Sequence, residues 1–291
     1  MKLSVLIPTY NYDCSQLVEQ LLLQLPDDGE MIVGDDCSTD AAIIEKFRKI
    51  ESMPKCRIFR PIHNLGRAAI RNALAREAKG EWLLFIDADA EVRSTSFIAD
   101  YLAATEQAPV VCGGTGNLPQ CPRPAARLRY DYEVAAEKRL TLEHRRHFPY
   151  AQFTTFNFLI RRDLFLSIGF DEQLHEYGHE DTRFGLALKQ RGIRVLHIDN
   201  KLTHMGLEDA DMYLRKTETA LRTLASMDIE QLQHVRVSAL ALRLKYWHLA
   251  GPVRCLFKTT KPLLRANLLG RHPSQKLFAL YKLGAYLQVS A

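Results

Sequence analysis

The segment from Trp82 to Asp89 constrains the fold more than any other part of the chain. Five large apolar residues, Trp82–Ile86, run without a break and end in Asp87-Ala88-Asp89. Such a run predicts a strand buried on both faces, as in a sheet covered by helices. Because unpaired carboxylates are too costly to bury, both aspartates are expected where the strand leaves the sheet. Ligands of open α/β sheets bind at that edge, so the motif predicts either a divalent cation carrying a diphosphate or a plain acidic turn.

Strand and helix patterns alternate through the first third of the chain. In order, the predicted elements are strand 3–7, helix 14–25, strand 31–33, helix 41–51, strand 57–60, helix 67–78 and the strand that ends at Asp87. This alternation predicts an α/β fold with a Rossmann-like, mostly parallel sheet flanked by helices.

Length and composition bound the class of protein. With 291 residues, 47% hydrophobic and 25% charged, the chain can bury a large core like an ordinary globular protein. No apolar run is long enough to span a bilayer, and the short run before Pro8 predicts a core strand rather than a signal peptide. Six cysteines without a C-x-x-C pair argue against a zinc site or a disulfide framework and favour a reducing, cytoplasmic location.

Basic charge is concentrated near the C-terminus. No acidic residue follows Glu230, whereas ten basic residues do, so the net charge of +5 leaves residues 1–230 at −5. Leucines and aromatic residues alternate with the basic residues over 231–291. Two interpretations stay open: these helices pack on the preceding domain with a solvated basic face, or they lie on an anionic membrane. A nucleic-acid surface is not expected, because no binding module of that kind is recognisable.

Charged residues also follow the second and third predicted strands. Asp35-Asp36 ends strand 31–33, where a carboxylate can accept hydrogen bonds from a ribose or a base, or simply cap the next helix. Arg67 and Arg71 lie one turn apart near the start of helix 67–78. Arginines at that end of a helix can contact a diphosphate, although basic residues on a helix face are more often solvated.

Acids and a histidine in the second half of the chain complete the candidate groups. A predicted loop over 169–178 leads to Glu180-Asp181, which open a helix. Acids in a first turn are favoured by the helix dipole, but a carboxylate there can also act as a general base. His204 follows a predicted strand and is either an exposed loop histidine or a metal ligand beside Asp89.

Taken in order, these segments resemble the family 2 glycosyltransferases, which share the GT-A fold. The matching segments are 5–11, 33–40, 64–67 with Arg71-Asn72, 87–89 and 178–181, and segment 168–172 is typical of the family too. The ordered set is far more specific than any one member. The resemblance implies a GT-A catalytic domain over 1–210, with a nucleotide-binding half at about 1–112 and an acceptor-binding half at about 113–210. A basic helical region at 211–291 lies outside it.

The sequence departs from the family pattern at three places. Cys37 replaces the usual glycine after the paired acids, and a single Gly169 stands where two glycines are common. Thr182-Arg183 follows Glu180-Asp181 where many relatives carry another acid, which bears on the choice of acceptor or donor. None of these departures removes a group that the resemblance implies for catalysis.

The resemblance also implies a role for each matched residue. The residues implied to hold the nucleotide sugar are Pro8, Thr9, Tyr10, Asn11, Asp36, Gly66, Arg67, Arg71, Asp87 and Ala88. Asp89 is implied to ligate Mg²⁺ or Mn²⁺, and His204 resembles the histidine that some relatives add to the metal site. Asp181 is implied to be the catalytic base, with Glu180 oriented toward the acceptor.

The function that follows from the resemblance is metal-dependent, inverting transfer of a hexosyl or N-acetylhexosaminyl group. The expected donor is a nucleoside-diphosphate sugar, first of all a UDP-sugar. The expected acceptor is a hydroxyl of a glycan or glycolipid, lipid-linked or polysaccharide, in surface glycan assembly. The basic region suits a cytoplasmic protein held peripherally on the inner face of the plasma membrane, and the oligomeric state is left open.

Two other classes of function compete with this hypothesis. A nucleotidyltransferase that makes nucleotide sugars would carry a glycine-rich loop with Arg or Lys after the first strand, where this chain has Pro8-Thr9-Tyr10-Asn11. An inactive glycan- or nucleotide-binding module would have lost the metal aspartate or the base, whereas Asp87, Asp89 and Asp181 are all present. Both alternatives are therefore disfavoured.

Overall fold

The computed structural model describes residues 2–172, 178–228, 232–233 and 235–290. Contacts divide the chain into unit 1, made of Met1–Gly116, Leu140–Gln173 and Glu180–Gly206, and unit 2, made of Asn117–Arg139, Leu174–His179 and Leu207–Ala291. Part of the predicted loop over 169–178, namely 173–177, lies outside the described residues, as do 229–231, 234 and 291 of the basic region. The domain boundary near residue 210 stays a prediction.

The described elements follow the alternation read from the sequence. In chain order, the strands are β1 (Leu3–Thr9), β2 (Gly29–Asp35), β3 (Cys56–Phe59), β4 (Trp82–Ile86), β5 (Ala90–Glu91), β6 (Val110–Cys112), β7 (Thr115–Gly116), β8 (Asn157–Arg161), β9 (Val195–His197) and β10 (Leu202–His204). The helices are α1 (Ser15–Leu22), α2 (Ala41–Glu51), α3 (Arg67–Glu77), α4 (Phe97–Ala103), α5 (Arg127–Arg139), α6 (Leu142–His147), α7 (Arg162–Ile168), α8 (Glu180–Gln190), α9 (Ala210–Ala225), α10 (Arg236–Tyr246), α11 (Ala250–Leu268) and α12 (Gln275–Val289).

The main sheet of unit 1 is mostly parallel. Its strand order, over the residues that the structure describes, is β3-β2-β1-β4-β8-β6-β9, and only β8 runs antiparallel to its neighbours. Leu84 and Ile86 of β4 enter a core on one face with α1, α2 and α4. Leu83 and Phe85 enter a second core on the opposite face with α3, α7 and α8. Helices therefore cover both faces of β4, and the predicted α/β fold with a doubly buried central strand is confirmed.

A second, smaller sheet in unit 1 was not predicted. Its described strands are ordered β5-β10-β7, and β10 pairs His204 opposite Ala90 of β5. Strands of two or three residues are too short to show a period in the sequence. This small sheet matters because it brings residue 204 beside the segment that follows Asp87-Ala88-Asp89.

Unit 2 is helical in its described residues and has a core of its own. Leu128 of α5 is buried together with Tyr213 of α9, Phe257 of α11 and Tyr281 of α12. No helix in the described ranges is both long and apolar enough to cross a membrane. The sequence also predicts one polar helix over 127–143, and this prediction was wrong in extent, since α5 ends at Arg139 and α6 of unit 1 begins at Leu142. Thr141 then caps α6, its hydroxyl accepting a hydrogen bond from the His144 amide at 3.2 Å.

Candidate active site

The carboxyl ends of β1, β2 and β4 meet at one edge of the main sheet. The register pairs Thr9 with Asp35 and Leu6 with Phe85, so the segments after all three strands leave the sheet together. The candidate residues from Pro8 to Asp89 lie at these strand ends or at the start of α3, with Gly66 and Arg67 at its first turn and Arg71 one turn later. Glu180, Asp181 and His204 belong to the same unit.

The segment after β1 is tied to the segment after β2. The Asn11 side-chain oxygen accepts hydrogen bonds from the amides of Thr39 and Asp40, at 2.8 and 3.1 Å, and the Asn11 amide donates to Ser38 Oγ at 2.8 Å. Tyr10, by contrast, leaves half of its side chain exposed at this edge. Asn11 therefore shapes the rim of the site, and Tyr10 offers a ring to a planar ligand.

Asp36 anchors the turn that precedes α3. Its two carboxylate oxygens accept hydrogen bonds from the amides of Leu65 and Gly66, at 2.7 and 2.9 Å, and Asn64 donates to its carbonyl at 2.7 Å. The carboxylate is buried, yet each oxygen has a second lone pair that a base or ribose could use. Its role in binding a nucleotide stays a prediction.

Cys37 adopts the backbone conformation that a glycine would hold without strain. Its φ is +64°, in the left-handed region, which a glycine adopts without strain and other residues adopt less often. The Cys37 thiol donates to the Pro61 carbonyl at 3.1 Å, which fixes the side chain. The departure noted in the sequence thus leaves the turn intact.

Arg71 forms an ion pair with Asp87. Its Nη2 donates to Asp87 Oδ1 at 2.5 Å and its Nη1 to the Arg67 carbonyl at 3.0 Å, and the side chain is buried. Burial raises the pKa of the Asp87 carboxyl, and the Arg71 charge opposes that effect. The buried Arg71 Nε has no hydrogen-bond partner in the described residues. Sequence reasoning predicted Arg71 near the diphosphate and Asp87 as a contact of the nucleotide sugar, but missed that the two residues pair with each other.

Asp181, the predicted general base, has a raised pKa. Burial, and then the neighbouring charge of Glu180, raise the pKa of Asp181 to about 7. Thr155 donates from Oγ1 to Asp181 Oδ1 at 2.8 Å, which favours the ionised form. The charges of Arg71 and Asp87 also affect the pKa of Asp181. Asp181, Glu180, Arg71 and Asp87 therefore lie close together. Thr155 was missed, because a lone threonine before a strand carries no sequence signal.

Glu180 lies between Arg67 and Asp181. Its Oε1 is 3.9 Å from Arg67 Nη1, and the Glu180 side chain is mostly enclosed. Arg67 keeps half of its side chain exposed, unlike Arg71. Of the two arginines, Arg67 is therefore the more accessible from solvent.

Asp89 and His204 form the second polar pair of the site. His204 Nε2 lies 3.1 Å from Asp89 Oδ2, His204 is buried, and Asp89 keeps about 30% of its side chain exposed. The Phe156 ring meets the imidazole edge-on at 5.6 Å. No third acid, histidine or cysteine joins them in the part of the chain that the structure describes. The structure thus brings together the two predicted ligands, while their metal role stays a prediction.

The chemistry of this pair fits a small divalent cation. Two ligands at about 2.1 Å from one ion, on adjacent octahedral positions, are about 3.0 Å apart. The Asp89 to His204 separation of 3.1 Å matches that spacing. Only two protein ligands are brought together in the described residues, so phosphate oxygens and water would fill the remaining positions.

Comparison with known proteins assigns the family. The sequence profile of Glycosyl transferase family 2 matches residues 4–169. The poly(ribitol-phosphate) β-N-acetylglucosaminyltransferase TarS of Staphylococcus aureus strain Mu50 is 36% identical over 95 residues, which are 31% of this chain and 16% of that protein. The chain therefore spans only about a sixth of that relative.

Solved structures share the fold over almost the whole chain. S. aureus TarS 1–349 in complex with UDP-GlcNAc has a TM-score of 0.54 at 19% identity, covering 100% of this chain and 90% of that one. The mannosyltransferase PcManGT from Pyrobaculum calidifontis, in complex with GDP-Man and Mn²⁺, has a TM-score of 0.59 at 17% identity, covering 99% and 85%. At such identities the likeness shows the fold alone. The profile match over more than half of the sequence shows that this chain belongs to the family 2 glycosyl transferases.

Proposed function

We propose that this protein transfers a sugar from a nucleoside-diphosphate sugar to an acceptor hydroxyl with inversion at the anomeric carbon. The observation that carries the proposal is Asp181, a carboxylate with a pKa near 7 that is held by Thr155 beside the Arg71–Asp87 pair. A general base works best when its pKa lies close to the working pH.

The residues divide the work between donor and acceptor. Asp181 takes the proton from the acceptor hydroxyl, whose oxygen attacks the anomeric carbon as the bond to the diphosphate breaks. This single displacement inverts the configuration. Arg67 stabilises negative charge on the leaving diphosphate, and Arg71 fixes Asp87 as a wall of the sugar pocket. Asp89 and His204 would hold Mn²⁺ or Mg²⁺, which when bound neutralises charge on the diphosphate.

The substrates named for similar proteins indicate which donor and acceptor to propose for this chain. The similar structures were solved with UDP-GlcNAc and with GDP-Man, and two relatives act on poly(ribitol-phosphate). We therefore propose a UDP-linked hexose or N-acetylhexosamine as donor and a hydroxyl-rich surface polymer or its lipid-linked precursor as acceptor. The cytoplasm, where nucleotide sugars are made, is the proposed location.

A donor screen tests the function. Purified protein with Mn²⁺ is offered UDP- and GDP-sugars with glycan, polyol-phosphate and glycolipid acceptors, and both nucleoside diphosphate and glycosylated product are followed. We expect one donor to be consumed with one diphosphate released per sugar transferred. A parallel assay supplies a nucleoside triphosphate and a sugar phosphate, and pyrophosphate formed from them would instead identify a nucleotidyltransferase. Donor binding without turnover of any acceptor would favour a binding module.

The pH profile of transfer should follow the titration of Asp181. Because the base must be ionised, we expect the rate to fall about tenfold per pH unit below pH 7 and to level off above it. Thr155→Val removes a hydrogen bond that favours the ionised form, so the midpoint should move to higher pH. Steady-state rates from pH 5 to 9 measure this, with Thr105→Val, whose hydroxyl donates to the Leu102 carbonyl of α4, as control. A Thr155→Val rate reduced equally at every pH would contradict the assignment.

Gly206→Ala should damage the cation site without removing any ligand. A Cβ at residue 206 would lie 2.1 Å from Asp89 Oδ2, so the carboxylate must move. We expect the affinity for Mn²⁺ in the presence of UDP to fall about tenfold or more, with turnover falling in parallel. Gly251→Ala, where a Cβ meets no atom within 4 Å, is the matched control. Unchanged Mn²⁺ affinity in Gly206→Ala would argue against Asp89 as a ligand.

A further inference from the structure

Helix α11 presents an uncharged face to solvent. Apart from Lys258, the exposed residues along this helix carry no charge: Gly251, Pro252, Cys255, Leu256, Thr259, Pro262, Leu263 and Ala266. Leu256 and Leu263 are 64% and 74% exposed, and they lie two turns apart. An ordinary surface helix exposes its charged side to water and buries its apolar side. The exposed face of α11 is instead largely uncharged and carries two leucines.

Two of the four charged residues of α11, Lys261 and Arg265, are instead directed toward α9 in the same unit. Lys261 Nζ lies 2.9 Å from Glu218 Oε1, and Arg265 Nη2 lies 2.6 Å from Asp211 Oδ1. Lys261 is also within 6 Å of the centres of the Phe257 and Tyr281 rings. These contacts fix the orientation of the helix, and its leucines point outward as a result.

Amphipathic aromatic residues adjoin this face at the turn between α10 and α11. Tyr246 and Trp247 are 82% and 59% exposed, and Leu249 is 47% exposed. Tryptophan and tyrosine rings favour the boundary between lipid headgroups and acyl chains. The exposed basic residues of α10–α12 and the turns between them are Arg236, Arg243, Lys245, Lys258, Arg271 and Lys276, and the sequence has no acid after Glu230.

We propose that the outward face of α11, with Tyr246 and Trp247, docks on an anionic membrane surface. Buried apolar area and attraction to anionic headgroups together drive such interfacial binding. A second copy of this chain is a poorer occupant, because two such faces would bring basic residues against basic residues. The proposal concerns unit 2 alone and holds whether or not the transfer reaction is the one proposed above.

The test uses the full chain and vesicles of phosphatidylcholine with or without phosphatidylglycerol. Trp247 is the exposed one of the two tryptophans and Trp82 is buried, so intrinsic fluorescence reports on the proposed face. We expect a blue shift and co-sedimentation with the anionic vesicles that weaken as salt rises, and little binding to the neutral ones.

Matched leucine variants decide whether the face is responsible. The double variant Leu256→Ser with Leu263→Ser should lower partitioning onto anionic vesicles about tenfold or more. The control pair, Leu23→Ser with Leu166→Ser, removes two exposed leucines of unit 1 and should bind like the parent chain. Melting curves verify that all variants are folded. The proposal would be overturned if both double variants bound anionic vesicles equally well, or if the parent chain did not bind them. It would also be overturned if the parent chain were a dimer in solution and only the Leu256→Ser with Leu263→Ser variant were a monomer.

Discussion

Asp181→Asn is expected to lower kcat for sugar transfer by about 10²- to 10⁴-fold, the usual contribution of a general base. Asparagine keeps the shape and can still accept the hydrogen bond from Thr155, but it cannot take the acceptor proton. Donor affinity should change little, because the loss is confined to proton transfer. Rapid-quench measurement of a single turnover separates this chemical step from donor binding, which calorimetry measures independently.

The control for Asp181→Asn is another carboxylate in the same unit. Asp163→Asn alters an exposed aspartate on α7 that pairs with Arg161, and its turnover should match the parent chain. Full activity of Asp181→Asn would show that Asp181 is not the general base. A large loss of donor affinity would mean that Asp181 acts chiefly by shaping the pocket.

Asp89→Asn should show the second large effect. Replacing an anionic ligand by a neutral amide weakens a divalent site that has only one other protein ligand among the described residues. We expect Mn²⁺ affinity in the presence of UDP to fall at least about 100-fold, and turnover at fixed metal to fall with it. Electron paramagnetic resonance of free Mn²⁺ gives the affinity directly.

Excess metal provides a further check on Asp89→Asn. If the defect lies in metal affinity, raising Mn²⁺ should restore part of the turnover, whereas Asp181→Asn should not respond. Chelation with EDTA should abolish turnover by the parent chain, and readdition of Mn²⁺ should restore it. Undiminished turnover in EDTA would exclude a metal role for Asp89 and His204.

Strand ends and helix starts in unit 1 could be predicted because local chemistry determines them. The apolar run before Asp87 is long enough to identify a doubly buried strand, and residues 41–51 form the helix predicted there, capped by Asp40. The proximity of Asp89 and His204 was one of two alternatives that the residues left open, and the family resemblance favoured it. The strands that create it are too short for periodicity to reveal.

Interactions between distant segments could not be predicted in the same way. The pairing of Arg71 with Asp87 depends on α3 crossing the end of β4, and the contact of Thr155 with Asp181 joins residues 26 positions apart. In α11, hydrophobic periodicity identifies two faces but does not say which one is buried. The ion pairs with acids of α9 show that the side carrying Lys261 and Arg265 faces that helix.

The anomeric configuration of the product tests the central claim most directly. Proton NMR can follow one reaction with an α-linked nucleotide sugar, reading the anomeric coupling constants of donor and product together. Single displacement by a hydroxyl that Asp181 has deprotonated predicts a β-linked product and one nucleoside diphosphate per sugar. An α-linked product would require retention and would contradict the proposed role of Asp181.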